Sequence, residues 1–124
     1  MSLLLDTHTF LWWLGGDPMA EDVTAEIADP ATLVAVSSAS VWEISVKAAL
    51  GKLRFSGSIA DQVSASGFEP LPISLAHAER AGALPGRHRD PFDRMLVAQA
   101  QLERLTIVTR DSGFASYDVR VRAC

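Results

Sequence analysis

Two aspartates three positions apart open the stretch "HRDPFDRMLVAQA" (residues 88–100), which then turns almost wholly apolar. Locally this reads as a helix start. Asp90 can cap the first turn, Pro91 suits the first helical position, and Asp93 meets the positive end of the helix dipole. Asp93 lies one turn inside that helix, where a carboxylate can also do chemistry. Three other acids raise the same question. Asp6 runs straight out of the leucines of "SLLLD", Glu43 sits in "SVWEISVKAALGK", and Asp111 follows "LTIVT" by two residues. Each has a plain alternative. Asp6 can cap a helix, Glu43 can pair with Lys47 four residues on, and Asp111 can shape the turn before Gly113.

Converging carboxylates with no lysine or arginine interleaved repel one another strongly at low dielectric, unless a cation fills the gap. Ligands that are all oxygen favour a hard ion, so Mg²⁺ or Mn²⁺ is expected rather than zinc. His8, His77 and His88 have no metal-ligand spacing and read as surface or packing residues. An acidic cage around one or two divalent ions suits phosphodiester hydrolysis, because the ions activate water and offset the charge of the displacement. Thr109 and Thr7, beside the acids, can position that water or a ligand carboxylate, or can satisfy backbone groups.

The elements that would position these residues alternate. Residues 2–6 read as a buried strand, and "THTFLWWLGG" as a short helix stopped by Gly15 and Gly16. Residues 18–29 read as a second helix, capped by Asp17 with Pro18 at its first position. "ATLVAVS" (31–37) is a buried parallel strand, after which Ser37, Ser38 and Ser40 offer caps for a helix ending near Gly51. Residues 58–67 form another short helix. The prolines of "FEPLPI" (68–73) keep that stretch at an edge or in a connection. Residues 74–84 are helical with Ser74 as cap, and "PGRHRD" (85–90) is a basic turn. The helix 91–104, the strand 105–109, the turn "RDSGFASY" and a last strand 119–122 complete the chain. Strands alternating with helices imply a parallel sheet covered on both faces. Sites in such sheets form at the carboxyl ends of strands, so all four acids can face one crevice.

The 124 residues suit one domain, 1–124, large enough to bury a core. The formal charge of −4 argues against gripping nucleic acid by net charge alone, but not against a nuclease whose acidic centre is neutralised by metal. The one cysteine, Cys124, permits no internal disulfide and fits a reducing compartment. Asp6 interrupts the opening leucines, which lack a signal peptide's basic start, and no segment approaches the length of a membrane span. A cytoplasmic location without membrane attachment is expected.

The ordered set "LLLDTH", "SVWEISVK", "DPFDRMLVAQA" and "IVTRD" resembles the PIN domain, in particular the small PIN-domain toxins of bacterial VapBC toxin–antitoxin pairs. The resemblance spans nearly the whole chain. It rests on four acids in the right order on matching elements, not on any single motif. It implies a PIN-like three-layer α/β/α fold with a central, mainly parallel sheet flanked by helices. It also implies that Asp6, Glu43, Asp93 and Asp111 are the metal-binding and catalytic acids, with Thr109 as the hydroxyl residue just before the last of them. The activity so implied is that of a Mg²⁺- or Mn²⁺-dependent endoribonuclease that cuts RNA and inhibits translation. The products would carry 5′-phosphate and 3′-hydroxyl ends. The implied partners are a second copy of the chain and a cognate, DNA-binding antitoxin of the VapB kind. Many relatives carry a further acid just before the aromatic that here is Phe114. This chain has Gly113 there, which leaves one-metal and two-metal mechanisms open.

Arg87, Arg89, Arg94 and Arg110 lie close to the acids in sequence and can contact RNA phosphates or simply stand on the surface. The aromatics of "FLWWL" (10–14) and Trp42 read mostly as core; any left exposed would suit an antitoxin helix or a dimer interface. Three rival readings remain. A receiver-type phosphoacceptor would want paired acids after its first strand and a lysine after its last, and "LLLDTH" has one acid. A non-catalytic interaction module would have lost an acid, and none is lost. The sequence does not separate a housekeeping RNA-processing nuclease from a toxin; a small antitoxin gene directly upstream would.

Overall fold

The computed structural model describes residues 2–86 and 90–124. Five strands, β1 (Ser2–Leu5), β2 (Leu33–Ser37), β3 (Glu69–Leu71), β4 (Thr106–Thr109) and β5 (Arg120–Ala123), form one sheet in the order β3-β2-β1-β4-β5. Every pairing is parallel. The mainly parallel sheet expected from the sequence is therefore wholly parallel among the described residues. Six α-helices connect the strands: α1 (Thr7–Gly15), α2 (Glu21–Ala28), α3 (Ser38–Ala49), α4 (Ile59–Ala65), α5 (Leu75–Ala83) and α6 (Pro91–Glu103). A short 3₁₀ turn, Ser112–Ser116, lies between β4 and β5.

The three layers follow from the alternation of side chains along each strand. Leu3, Leu5, Val34, Val36 and Val108 point to one face and pack with Phe10, Val23, Ile27, Ile44, Val63 and Phe68. Leu4, Ala35 and Ile107 point to the other and pack with Leu96, Val97, Ala100, Leu105, Phe114 and Tyr117. The central strand therefore reads as an unbroken run of leucines because both of its faces are buried. Pro70 pairs with Val36 in β3, which is hydrogen-bonded to β2 alone. That edge position is one where a missing N–H is tolerated.

Capping residues set most helix starts. Asp6 accepts from the Thr9 N–H, Ser37 from Ala39, Ser58 from Asp61 and Asp90 from Phe92. Gly16 closes α1 in the left-handed conformation, which glycine adopts without steric cost. At α5 the cap is reciprocal: Ser74 Oγ accepts from the His77 N–H, and His77 Nδ1 accepts from the Ser74 N–H. His77 is thus a buried capping and packing residue, and its Nε2 lies 2.9 Å from Glu103 Oε2. Ser74→Ala should cost about 1 kcal/mol of unfolding free energy. Urea denaturation checks this, and an unchanged midpoint would rule out a contribution from the cap.

The start of α2 differs from the sequence expectation. The helix begins at Glu21 with Ala20 in the capping position and no side-chain cap, so Asp17 does not cap it and Pro18 does not open it. The backbone of that segment has other partners. The Asp17 N–H bonds the Trp12 carbonyl, the Ala20 N–H bonds the Cys124 carbonyl, and the Pro18 carbonyl accepts from Arg110.

Candidate active site

The sheet order places the site. From β1 the chain steps outward through β2 to β3, then returns to the other side of β1 to lay down β4 and β5. The reversal leaves a crevice at the carboxyl ends of β1 and β4, where open α/β sheets bind their ligands. Asp6 directly follows β1, and Arg110 and Asp111 directly follow β4.

A hydrogen-bond relay ties the two strand ends together. Thr109 Oγ1 donates to Asp6 Oδ2 at 2.5 Å and accepts from the Asp111 N–H at 2.9 Å. Asp6 Oδ1 accepts from the Thr9 N–H at 2.8 Å. Asp6 is thus both the cap of α1 and a buried carboxylate fixed at the crevice, and one role does not displace the other. Thr109 positions a carboxylate and also satisfies a backbone group. Asp111 is exposed, and its Oδ1 accepts from the Gly113 N–H at 2.8 Å, so it does shape its turn.

Glu43 lies in the second turn of α3 and is buried against the first turn of α1. Thr7 Oγ1 donates to its Oε1 at 2.7 Å and lies 3.0 Å from Ser40 Oγ, while Lys47 Nζ donates to its Oε2 at 2.6 Å. Both carboxylate oxygens are therefore engaged. The hydrogen bond to Glu43 holds the Lys47 ammonium above the usual lysine pKa, against opposing desolvation. The charges of Glu43, Asp90 and Asp93 act in the same direction. A lysine therefore does stand among the acids, contrary to the expectation of a purely acidic cluster. Its link to Glu43 was legible in the i,i+4 spacing. Its proximity to Asp90 and Asp93 was not, because that depends on how α3 meets α6.

Asp93 occupies the first turn of α6, half-buried, behind the Asp90 cap. Because α6 runs into β4, its amino end lies toward the carboxyl edge of the sheet. Asp6, Glu43, Asp93, Thr109 and Asp111 thus share one edge. Among the described residues, no three acidic, histidine or cysteine side chains already stand in an arrangement that would enclose a metal ion. The donor chemistry nonetheless fits a hard divalent cation. Every candidate donor is an oxygen, and the hydrogen bonds to buried Asp6 come from neutral groups, the Thr9 N–H and the Thr109 hydroxyl.

The arginines divide. Arg94 donates to the carbonyls of Ala81, Leu84 and Pro85, at and just beyond the end of α5. Its Nη1 and Nη2 groups thus satisfy helix-terminal acceptors. Arg110 is exposed and lies over the Trp12 ring. Arg87, His88 and Arg89 fall outside the described residues. Among the aromatics, Phe10 is buried and Trp13 packs near Phe68, whereas Trp42 is 62% exposed and meets Phe92 edge-on.

An all-parallel sheet whose switch point carries a buried, hydroxyl-held carboxylate defines an α/β protein with an acidic site at the carboxyl edge of its sheet. The PIN domain family model matches residues 3–120, and the chain belongs to that family of nucleases. No curated protein sequence matches it. Among solved structures it is similar to VapBC2 from Rickettsia felis bound to a promoter DNA fragment, with 17% identity and a TM-score of 0.72 over 100% of this chain and 99% of that one. A toxin–antitoxin complex from Klebsiella pneumoniae shares 25% identity, with a TM-score of 0.65 over 97% and 95% of the two chains. FitAcB from Neisseria gonorrhoeae gives 23% identity and a TM-score of 0.63 over 98% and 96%. Among the described residues, no helix is long and apolar enough to cross a membrane.

Proposed function

We propose that this chain is a divalent-metal-dependent endoribonuclease and the toxin of a type II toxin–antitoxin pair. The observation that carries the reading is the Asp6–Thr109–Asp111 relay, which ties the buried Asp6 carboxylate to the Asp111 backbone across the switch point of the sheet. Membership of the PIN family and the likeness to toxin–antitoxin complexes support it.

Asp6, Asp93 and Asp111 would hold Mg²⁺ or Mn²⁺. When bound, the ion supplies an acidified water and charge compensation at the scissile phosphate. Thr109 and the Thr9 N–H fix the Asp6 carboxylate, so its orientation is set before substrate arrives. Glu43, gripped by Thr7 and Lys47, acts as the orienting carboxylate, directing a water at the edge of the site. Lys47 offsets part of the acidic field that would otherwise repel the RNA backbone. The expected partners are a cognate antitoxin and a second copy of the chain, and the exposed Trp42 beside Phe92 is a surface suited to such protein contacts.

The test is incubation of the purified protein with single-stranded RNA in Mg²⁺, Mn²⁺ or EDTA. Cleavage confined to the metal-containing samples, leaving 5′-phosphate and 3′-hydroxyl ends, is the expected result. Cleavage that persists in EDTA would overturn the metal assignment. Mn²⁺ should also raise the melting temperature, the shift growing with the logarithm of its concentration once the site is filled, and Asp6→Asn should remove most of that shift.

A further inference from the structure

Resting on the nuclease reading, we infer that His8, Trp12 and Arg110 form a nucleobase-stacking platform for a single-stranded RNA nucleotide next to the scissile phosphate. The Arg110 guanidinium carbon lies 4.0 Å from the Trp12 ring centroid. Its Nη2 donates to the Pro18 carbonyl at 2.5 Å, so the group is tethered over the ring rather than reaching freely into solvent. The His8 ring stands 6.0 Å from that of Trp12, with the two planes 37° apart. His8 and Arg110 are exposed and Trp12 is half-buried, so among the described residues these planar groups face solvent.

The platform is continuous with the acids. His8 is two residues beyond Asp6 on α1, Trp12 is one turn further, and Arg110 is the residue between Thr109 and Asp111. A chain of net charge −4 has little general attraction for a polyanion. Affinity must come from local groups, and aromatic and guanidinium faces bind unstacked bases whatever their identity. A guanidinium already tethered over tryptophan also loses less freedom when a base packs against it.

The probe is a fluorescein-labelled single-stranded oligoribonucleotide whose cut position under Mn²⁺ is mapped first, with binding then measured in EDTA. Trp12→Leu and Arg110→Gln should each weaken binding about five- to hundredfold, with helical circular dichroism unchanged. An oligomer made abasic beside the cut should bind the parent correspondingly less and bind Trp12→Leu no worse than it binds the parent. Equal affinities of parent and variants would overturn the platform while leaving the nuclease intact. So would a Trp12→Leu defect that persists on the abasic oligomer, which would assign the contact to phosphate. Unchanged RNA binding with weakened binding of a protein partner would assign the surface to that protein. A parent that neither cuts nor binds the oligomer would overturn the nuclease reading and the platform with it.

Discussion

Asp93→Asn should fold like the parent and lose RNA cleavage by at least about a hundredfold. Replacing even the outer partners of metal ligands costs roughly 10–100-fold, and Asp93 is proposed as a ligand itself. The substitution is close to isosteric. The helix start it sits in is fixed independently by the bond from the Phe92 N–H to Asp90 and by Pro91 at the first position. Loss of a carboxylate near the helix amino end should cost only about 0.3–1 kcal/mol. Asp90→Asn is the matched control: it keeps a capping side chain and should stay within a few-fold of parental activity. Cleavage rates measured under saturating Mn²⁺, beside thermal melts of both variants, separate the two aspartates. A folded Asp93→Asn protein that cuts RNA at the parental rate would end the assignment.

The second large effect is expected at Thr109, which is 1% exposed. Thr109→Val keeps the shape and removes the hydroxyl. It leaves a buried oxygen of Asp6 without its donor and the Asp111 N–H without its acceptor. Orphaning such groups costs about 1–3 kcal/mol each, so a loss of about 2–4 kcal/mol in urea denaturation is expected. Cleavage should fall as well, because Asp6 would no longer be held. Thr109→Ser, which restores both hydrogen bonds, should recover most of the stability and activity. A Thr109→Val protein as stable as the parent would show that the relay contributes nothing.

Much of this arrangement was legible because it is written locally. Asp6, Ser37, Ser74 and Asp90 stand where a side-chain oxygen meets the first free N–H groups of a helix, and the alternation of buried strands with helices fixes a parallel sheet. The failures are tertiary. Asp17 and Pro18 carry the signature of a helix start, yet that segment gives its backbone groups to Trp12 and Arg110 and the helix waits until Glu21. Arg94 looks like one basic residue among several near the acids. Only the packing of α5 on α6 turns it toward the carbonyls around Leu84. Lys47 announces its partner on the same helix but not the acids of α6 whose field it also feels. In each case the missing information is which element lies across the gap, and no local pattern encodes that.

The relay between β1 and β4 also has a temporal meaning. Its two ends are 103 residues apart. A growing chain can display Asp6, Glu43 and Asp93 while the first of them has only its local bond from the Thr9 N–H and lacks the one from Thr109. Contacts of such separation form only after the entropy of closing a long loop has been overcome. The cutting centre would therefore arise at the end of folding, when the fourth strand docks against the first. On the proposed nuclease reading, a fragment that ends before Thr109 would carry three of the four acids and still lack the cross-strand bond that completes the site.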